Sequence, residues 1–125
     1  MEFKIDTKGT YTNVIPVTGQ LDANLTAAIR QKWNNAGQRG SLNLIVDLQN
    51  IDEIDSDVLP ELLALQEDFT KNHQTIVFTG LQEQDMQQFK EPGDETTLNM
   101  VPTTAEAIDI INMEILERDL FKDES

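Results

Sequence analysis

The sequence predicts an α/β domain: a mainly parallel sheet of about five strands flanked by about four helices. Three observations predict it. Short apolar runs with strand character alternate along the chain with segments whose apolar residues recur at helical spacing. Strands separated by helices pair in parallel through right-handed crossovers. The length, 125 residues with 38% hydrophobic side chains, suits a single domain with a real core. That domain is placed at residues 1–117, with 118–125 as an acidic tail extending the last helix.

Taken in order, Phe3 and Ile5 alternate with polar residues as in a short strand, and Lys8-Gly9 supplies a turn. Val14-Ile15-Pro16-Val17 predicts a second, more buried strand. Pro16 removes a ladder donor there, which calls for an edge, a bulge or a strand side without a partner. Asp22 or Asn24 can cap a helix over 25–36, whose apolar face is Leu25, Ala28, Ile29, Trp33 and Ala36, with Gly37 as its stop. Trp33 on that stripe is a core residue. Residues 42–46 form a buried strand ending at Asp47.

An acid-rich loop follows, then a helix over 57–72 with Val58, Leu62, Leu65 and Phe69 in one stripe, widened by Leu59 and Leu63. Pro60 falls in its first turn, where backbone donors have no helical partner. His73 sits at the helix end, where a cation suits the dipole. Residues 75–79 are the next strand, 83–89 a short helix, 91–94 a loop and 98–101 a last short strand. Thr103 and Glu106 have capping-box spacing and open a helix through Ile108, Ile111 and Ile115 to about Phe121. The predicted core includes Val14, Val17, Leu44, Val46, Ile76 and Phe78, with the strands at 44–46 and 75–78 paired in parallel.

Charge narrows the function. The formal net charge is −14, which argues against nucleic acid and anionic membrane surfaces, since both require basic patches. There is no cysteine and one histidine, so no thiolate site, thiol nucleophile or histidine cluster is available, and no metal or cofactor is implied. The N-terminus lacks a basic region followed by an apolar run, and no stretch approaches the ~20 apolar residues of a membrane helix. These features fit a soluble, cytoplasmic protein. The chain has no Gly-x-Ser-x-Gly elbow either, so a hydrolase is disfavoured and the protein is expected not to be an enzyme.

Three stretches in order carry a resemblance: Val17-Thr18-Gly19-Gln20-Leu21-Asp22, Leu44-Ile45-Val46-Asp47-Leu48-Gln49-Asn50-Ile51 and Ile54-Asp55-Ser56-Asp57-Val58-Leu59. With the Pro-Thr-Thr-Ala-Glu-Ala-Ile opening of the last helix (102–108), they resemble the STAS family, of the anti-sigma factor antagonist type. The resemblance spans about residues 3–116. It implies that the serine after an aspartate is phosphorylated by a partner that is both anti-sigma factor and serine kinase, of the GHKL ATPase type. The unphosphorylated form binds that partner and releases the sigma factor. Carried over, Ser56 is the phosphorylation site and Asp55 precedes it. Asp22 lies on the same sheet end, and Asp22, Asp55, Ser56 and Asp57 make up the partner-binding surface. A bacterial cytoplasm follows from the same resemblance. The family's second serine is Asp57 here, and its glycine is Val58.

Physics gives a reason for that position. A helix N-terminus presents free N–H groups and partial positive charge, so a phosphate is favoured there. It also adds roughly −1.5 to −2 charges to a docking surface. Asp52, Glu53, Asp55 and Asp57 surround Ser56, so the sequence either tunes the switch or replaces it with the fixed charge of Asp57. Ser56 can also serve as a plain helix N-cap. Asp22 and Asp47 are turn and cap residues, or together an acidic pocket at the strand ends. Leu116, Leu120 and Phe121 pack the helix end, or form an apolar strip for a partner or for a homodimer through the C-terminal helix. Two further readings stand behind the switch. One is an unphosphorylated STAS interaction subunit of a larger assembly. The other is a receiver-like aspartate phosphoacceptor, which ranks lower because no lysine follows the strand ending at Val101.

Overall fold

The computed structural model describes the backbone of residues 1–33, 43–89 and 98–123, and their side chains up to Leu120. In chain order the elements begin with β1 (Phe3–Thr7), β2 (Thr12–Pro16), β3 (Gln20–Leu21), α1 (Ala23–Trp33) and β4 (Leu44–Asp47). They continue with β5 (Glu53–Ile54), α2 (Val58–Lys71), β6 (Ile76–Thr79), α3 (Glu83–Met86) with a 3-10 turn at Gln87–Phe89, and α4 (Thr104–Asp123). The main sheet has the order β1-β2-β4-β6, antiparallel between β1 and β2 and parallel elsewhere. The predicted parallel pairing is present: Leu44, Ile45 and Val46 lie against Ile76, Val77 and Phe78. The predicted fifth strand is reduced to one parallel bridge, Phe78 to Met100, on the outer edge of β6.

Strand alternation divides the core into two layers. Val14, Leu44, Val46, Ile76 and Phe78 point to one face and pack with Leu25, Ile29 and Trp33 of α1 and Val58, Leu62, Leu65 and Phe69 of α2. Ile45 and Val77 point to the other face and meet Ala107 and Ile111 of α4. Trp33 is buried, and its ring stands edge-on to Phe3 at 5.0 Å.

Pro16 occupies a strand side without a partner. Pairing of β2 with β4 ends at Val14, and the Pro16 carbonyl accepts instead from Asn50 Nδ2 at 3.4 Å. The same geometry corrects one core assignment. Val17 lies beyond the paired part of β2 and is 47% exposed, its N–H donating to Glu2 O at the sheet margin. The other five predicted core residues are at most 1% exposed.

Helix ends follow local chemistry. Asp22 Oδ1 accepts the Leu25 N–H at 3.1 Å, which makes Asp22 the cap of α1. At the end of α2, His73 takes a left-handed φ of 59°. Its N–H reaches Thr70 O and that of Gln74 reaches Phe69 O, the paired bonds of a Schellman turn. Thr103 Oγ1 accepts the Glu106 N–H at 3.2 Å and opens α4. That helix runs unbroken through residue 118 to Asp123. Leu42, Ala36, Gly37 and the predicted loop at 91–94 lie outside the described residues, as do the side chain of Phe121 and the last two residues. Among the described residues, no helix is long and apolar enough to cross a membrane.

Candidate functional site

The chain leaves β2 through Val17, Thr18 and Gly19, and Gly19 sets up the site. Its carbonyl accepts two N–H groups, from Asp52 at 2.9 Å and Glu53 at 3.0 Å. A Cβ on Gly19 would stand 2.8 Å from Asp52 Oδ1, the far end of an exposed side chain that would have to turn aside. The contact starts a second, two-stranded sheet in which β3 and β5 run parallel, Gln20 beside Glu53 and Leu21 beside Ile54. Each strand is followed by an aspartate. The register therefore brings Asp22 and Asp55 to the same end of this small sheet, and the Asp55 N–H donates to Leu21 O at 3.0 Å.

Asp55 then shapes the turn into α2. Its Oδ1 accepts the Asp57 N–H at 3.1 Å and its carbonyl accepts the Val58 N–H at 3.1 Å. Asp57, with φ −98° and ψ 10°, is the N-cap residue, and its side chain makes no capping bond. This corrects the plain-cap reading of Ser56, because the cap position falls one residue later. Ser56 sits on the crest of the turn, exposed between Asp55 and Asp57. Val58, by contrast, is 1% exposed and anchors the first turn of α2 in the core. A side chain larger than the family's glycine is therefore directed inward, away from the turn surface.

Gln20, Leu21, Asp22, Glu53, Ile54 and Asp55 line a cleft of about 200 Å³ beside this turn. Gln20 Nε2 donates to Glu53 Oε2 at 3.1 Å across it. The cleft has no cationic lining residue, and among the described residues no three His, Cys, Asp or Glu side chains converge as a metal site. Its polar lining is acidic and hydrogen-bonding, and Ser56 stands next in the chain after its last lining residue, Asp55.

Asp47 does not line this cleft, so of the two readings of Asp22 and Asp47 the turn-and-cap one holds and the shared acidic pocket does not form. It ends β4 half-buried, held by the Gln49 N–H at 3.1 Å and by Gln49 Nε2 at 3.2 Å. Burial pushes its carboxyl above the ordinary value, and the Gln49 N–H partly counters this. Gly80, at φ 94°, lies against it. Sequence reasoning missed the β3–β5 pair altogether. The available signal was the repeated apolar-Asp step, Leu21-Asp22 and Ile54-Asp55.

The fold has known counterparts. A model of the STAS domain matches residues 4–107. No curated protein matches the chain in sequence. Bacillus SpoIIAA, an anti-sigma factor antagonist, is similar in its unphosphorylated form with a TM-score of 0.62 and 18% identity, over 89% of this chain and 96% of that one. Moorella thermoacetica RsbS is similar with a TM-score of 0.64 and 16% identity, over 94% and 99%. The murine anion transporter Slc26a9 contains a similar unit, with a TM-score of 0.61 and 14% identity over 86% of this chain and 18% of the transporter. At these identities the solved structures speak for the fold. The family match covers most of the sheet and its helices as well as the turn that carries Ser56, and by it this chain belongs to the STAS domain family.

Proposed function

We propose that this chain is a non-enzymatic regulatory module of the anti-sigma factor antagonist kind, switched by phosphorylation of Ser56. Asp22, Asp55, Ser56 and Asp57 form the surface that docks an anti-sigma factor, itself a serine kinase of the GHKL ATPase type, in the bacterial cytoplasm. One observation carries the reading: Ser56 is exposed on the Asp55-held turn at the start of α2, one residue before the N-cap. A kinase can reach its hydroxyl, and a phosphate there lies at the start of α2, where the helix dipole favours negative charge. SpoIIAA, solved in phosphorylated and unphosphorylated forms, supports a switch of this kind in the family. A dianion added beside Asp22, Asp55 and Asp57 turns a docking surface into a repulsive one without refolding the domain.

The test incubates the protein with the cognate kinase and ATP and maps phosphate by mass spectrometry. Phosphate on Ser56, lost in Ser56→Ala, supports the switch, as does weaker partner binding by Ser56→Asp. Phosphate on another residue overturns it.

A second reading is favoured by the acids around Ser56. Asp57 already places a fixed charge at the cap, so the domain acts as a constitutive interaction subunit of a larger assembly. Met113, Leu116 and Leu120, all more than 60% exposed along α4, offer such a subunit a further contact strip, including for a second copy of the chain. Under this reading no phosphate is incorporated and partner binding is intact in Ser56→Asp.

A further inference from the structure

The two edges of the main sheet are unlike. Beyond β6, the Phe78 N–H donates to Asn99 O and the Val101 N–H to Phe78 O, so residues 99–101 cover that edge. Beyond β1 the sheet has no further strand among the described residues, and Lys4, Ile5, Asp6 and Thr7 are exposed. An open edge is a template for another strand.

The hydrogen bonds fix which groups that edge offers. The Val17 N–H donates to Glu2 O and the Lys8 N–H to Tyr11 O, in continuation of the register that pairs Lys4 with Ile15 and Asp6 with Asn13. Opposed residues in an antiparallel ladder alternate between exchanging both bonds and exchanging none. Glu2, Lys4, Asp6 and Lys8 therefore turn their backbone groups inward to β2. Phe3, Ile5 and Thr7 present theirs outward.

The side chains supply the register. Along Glu2-Phe3-Lys4-Ile5-Asp6-Thr7-Lys8 the charges alternate minus, plus, minus, plus, and they are antisymmetric about Ile5. A two-fold axis at Ile5 sets Lys4 opposite Asp6 and Glu2 opposite Lys8 of another copy, always unlike charges. These are the pairs that exchange no backbone bonds, whose side chains approach most closely. Sliding the strands so that the axis passes Lys4 or Asp6 puts like charges face to face. Among the described residues neither Lys4 nor Glu2 has an ion-pair partner within its own chain, while Asp6 Oδ2 lies 3.1 Å from Lys8 Nζ.

We propose that β1 pairs with β1 of a second copy of this chain, antiparallel about Ile5. The dimer has one continuous sheet, closed by its two-fold symmetry. Ile5, 46% exposed in the single chain, packs against its own symmetry mate on the α1–α2 face, and the Lys4–Asp6 pairs lie on the α4 face. The net charge of −14 on each copy opposes association, so the dimer dissociates on dilution.

Sedimentation of the full chain across a concentration series tests this. The mass should double from 14.1 kDa at high concentration, and amide exchange at Ile5 should slow as the dimer forms. Lys4→Asp alone and Asp6→Lys alone should each stay monomeric, with unchanged circular dichroism. An equimolar mixture of the two should dimerise, because each mismatch then meets its complement. A wild-type protein that stays monomeric at the highest concentration reached would overturn the proposal. So would single variants that dimerise like wild type, or a dimer abolished instead by Leu116→Lys on α4.

Discussion

Gly80→Ala is a demanding test of how β4 and β6 meet. Gly80 follows β6 with a φ of 94°, where an L-residue is strained by about 1–2 kcal/mol. An added Cβ overlaps Asp47 Oδ1 and stands 2.9 Å from the backbone nitrogens of Leu48 and Gln49. Those atoms are fixed: the Leu48 N–H donates to Thr79 O at 2.7 Å and the Gln49 N–H to Asp47 Oδ1 at 3.1 Å. Moving them loosens the central parallel ladder, so the overlap adds about 1–3 kcal/mol. The sum, about 2–5 kcal/mol, is a large share of the roughly 5–15 kcal/mol that holds a domain folded. With a mid-range urea slope of about 2 kcal/mol per molar, the unfolding midpoint should fall by about 1–2.5 M. Gly9→Ala, where nothing lies within 4 Å, is the control and should leave the midpoint nearly unmoved. Adding Asp47→Ala to Gly80→Ala removes the carboxylate overlap but not the backbone contacts, so it should restore only part of the loss. Equal midpoints for Gly80→Ala and Gly9→Ala would refute the reasoning.

Other substitutions probe separate parts of the molecule. Asp47 has a folded-state pKa raised by burial, so its contribution to stability declines as pH rises from its ordinary 3.8 through the folded value. Asp47→Asn does not titrate, and its stability relative to wild type should climb across that window and then level off. Urea midpoints taken from acid to neutral pH check this, and a difference independent of pH would contradict it. Asp22→Ala loses the bond to the Leu25 N–H and should cost about 1 kcal/mol, whereas Asp57→Ala, with no capping bond to lose, should cost less by the same thermal or urea assay. Ser56→Ala should stay within about 0.5 kcal/mol of wild type, since Ser56 is exposed and is not the cap. Phe69→Ala, at a fully buried position, should cost about 3–5 kcal/mol and lower the melting temperature by many degrees.

What the sequence disclosed follows from length and burial. Strands β4 and β6 are buried on both faces and appear as unbroken apolar runs, so their existence and parallel pairing were legible. Helices α1 and α2 were legible from the period of Leu25, Ile29 and Trp33 and of Val58, Leu62, Leu65 and Phe69. Strands β3 and β5 escaped because two residues carry no period, and their pairing depends on Gly19 meeting Asp52 across 33 residues of chain. Val17 continues an apolar run past the point where pairing with β4 stops, a boundary set by tertiary structure. For the site, the order Asp55-Ser56 at the start of a helix was visible. The one-residue difference between Ser56 and Asp57 as cap was decided by Asp55, whose side chain folds the turn onto the Asp57 N–H. Asp47 and Asp22 both end strands, but only Asp22 continues into the small second sheet and its cleft.

The two faces of the main sheet are unequally furnished. Behind it α4 is the one helix among the described residues, with Ala107 and Ile111 against Ile45 and Val77, Tyr11 and Val101 at their side, and Arg118 donating to the His73 carbonyl and to Asn43 Oδ1. In front, α1 and α2 seal the larger cluster, and the turn bearing Ser56 is built into that side. Detachment of α4 would uncover the smaller of the two clusters and leave the contacts of the front layer in place, which is the pattern of a sub-global opening. Amide protection should rank accordingly, with α4 exchanging ahead of β4, β6 and α2. A tether or protease acting on the C-terminal helix can thus loosen the back of the domain while the Ser56 turn keeps its shape.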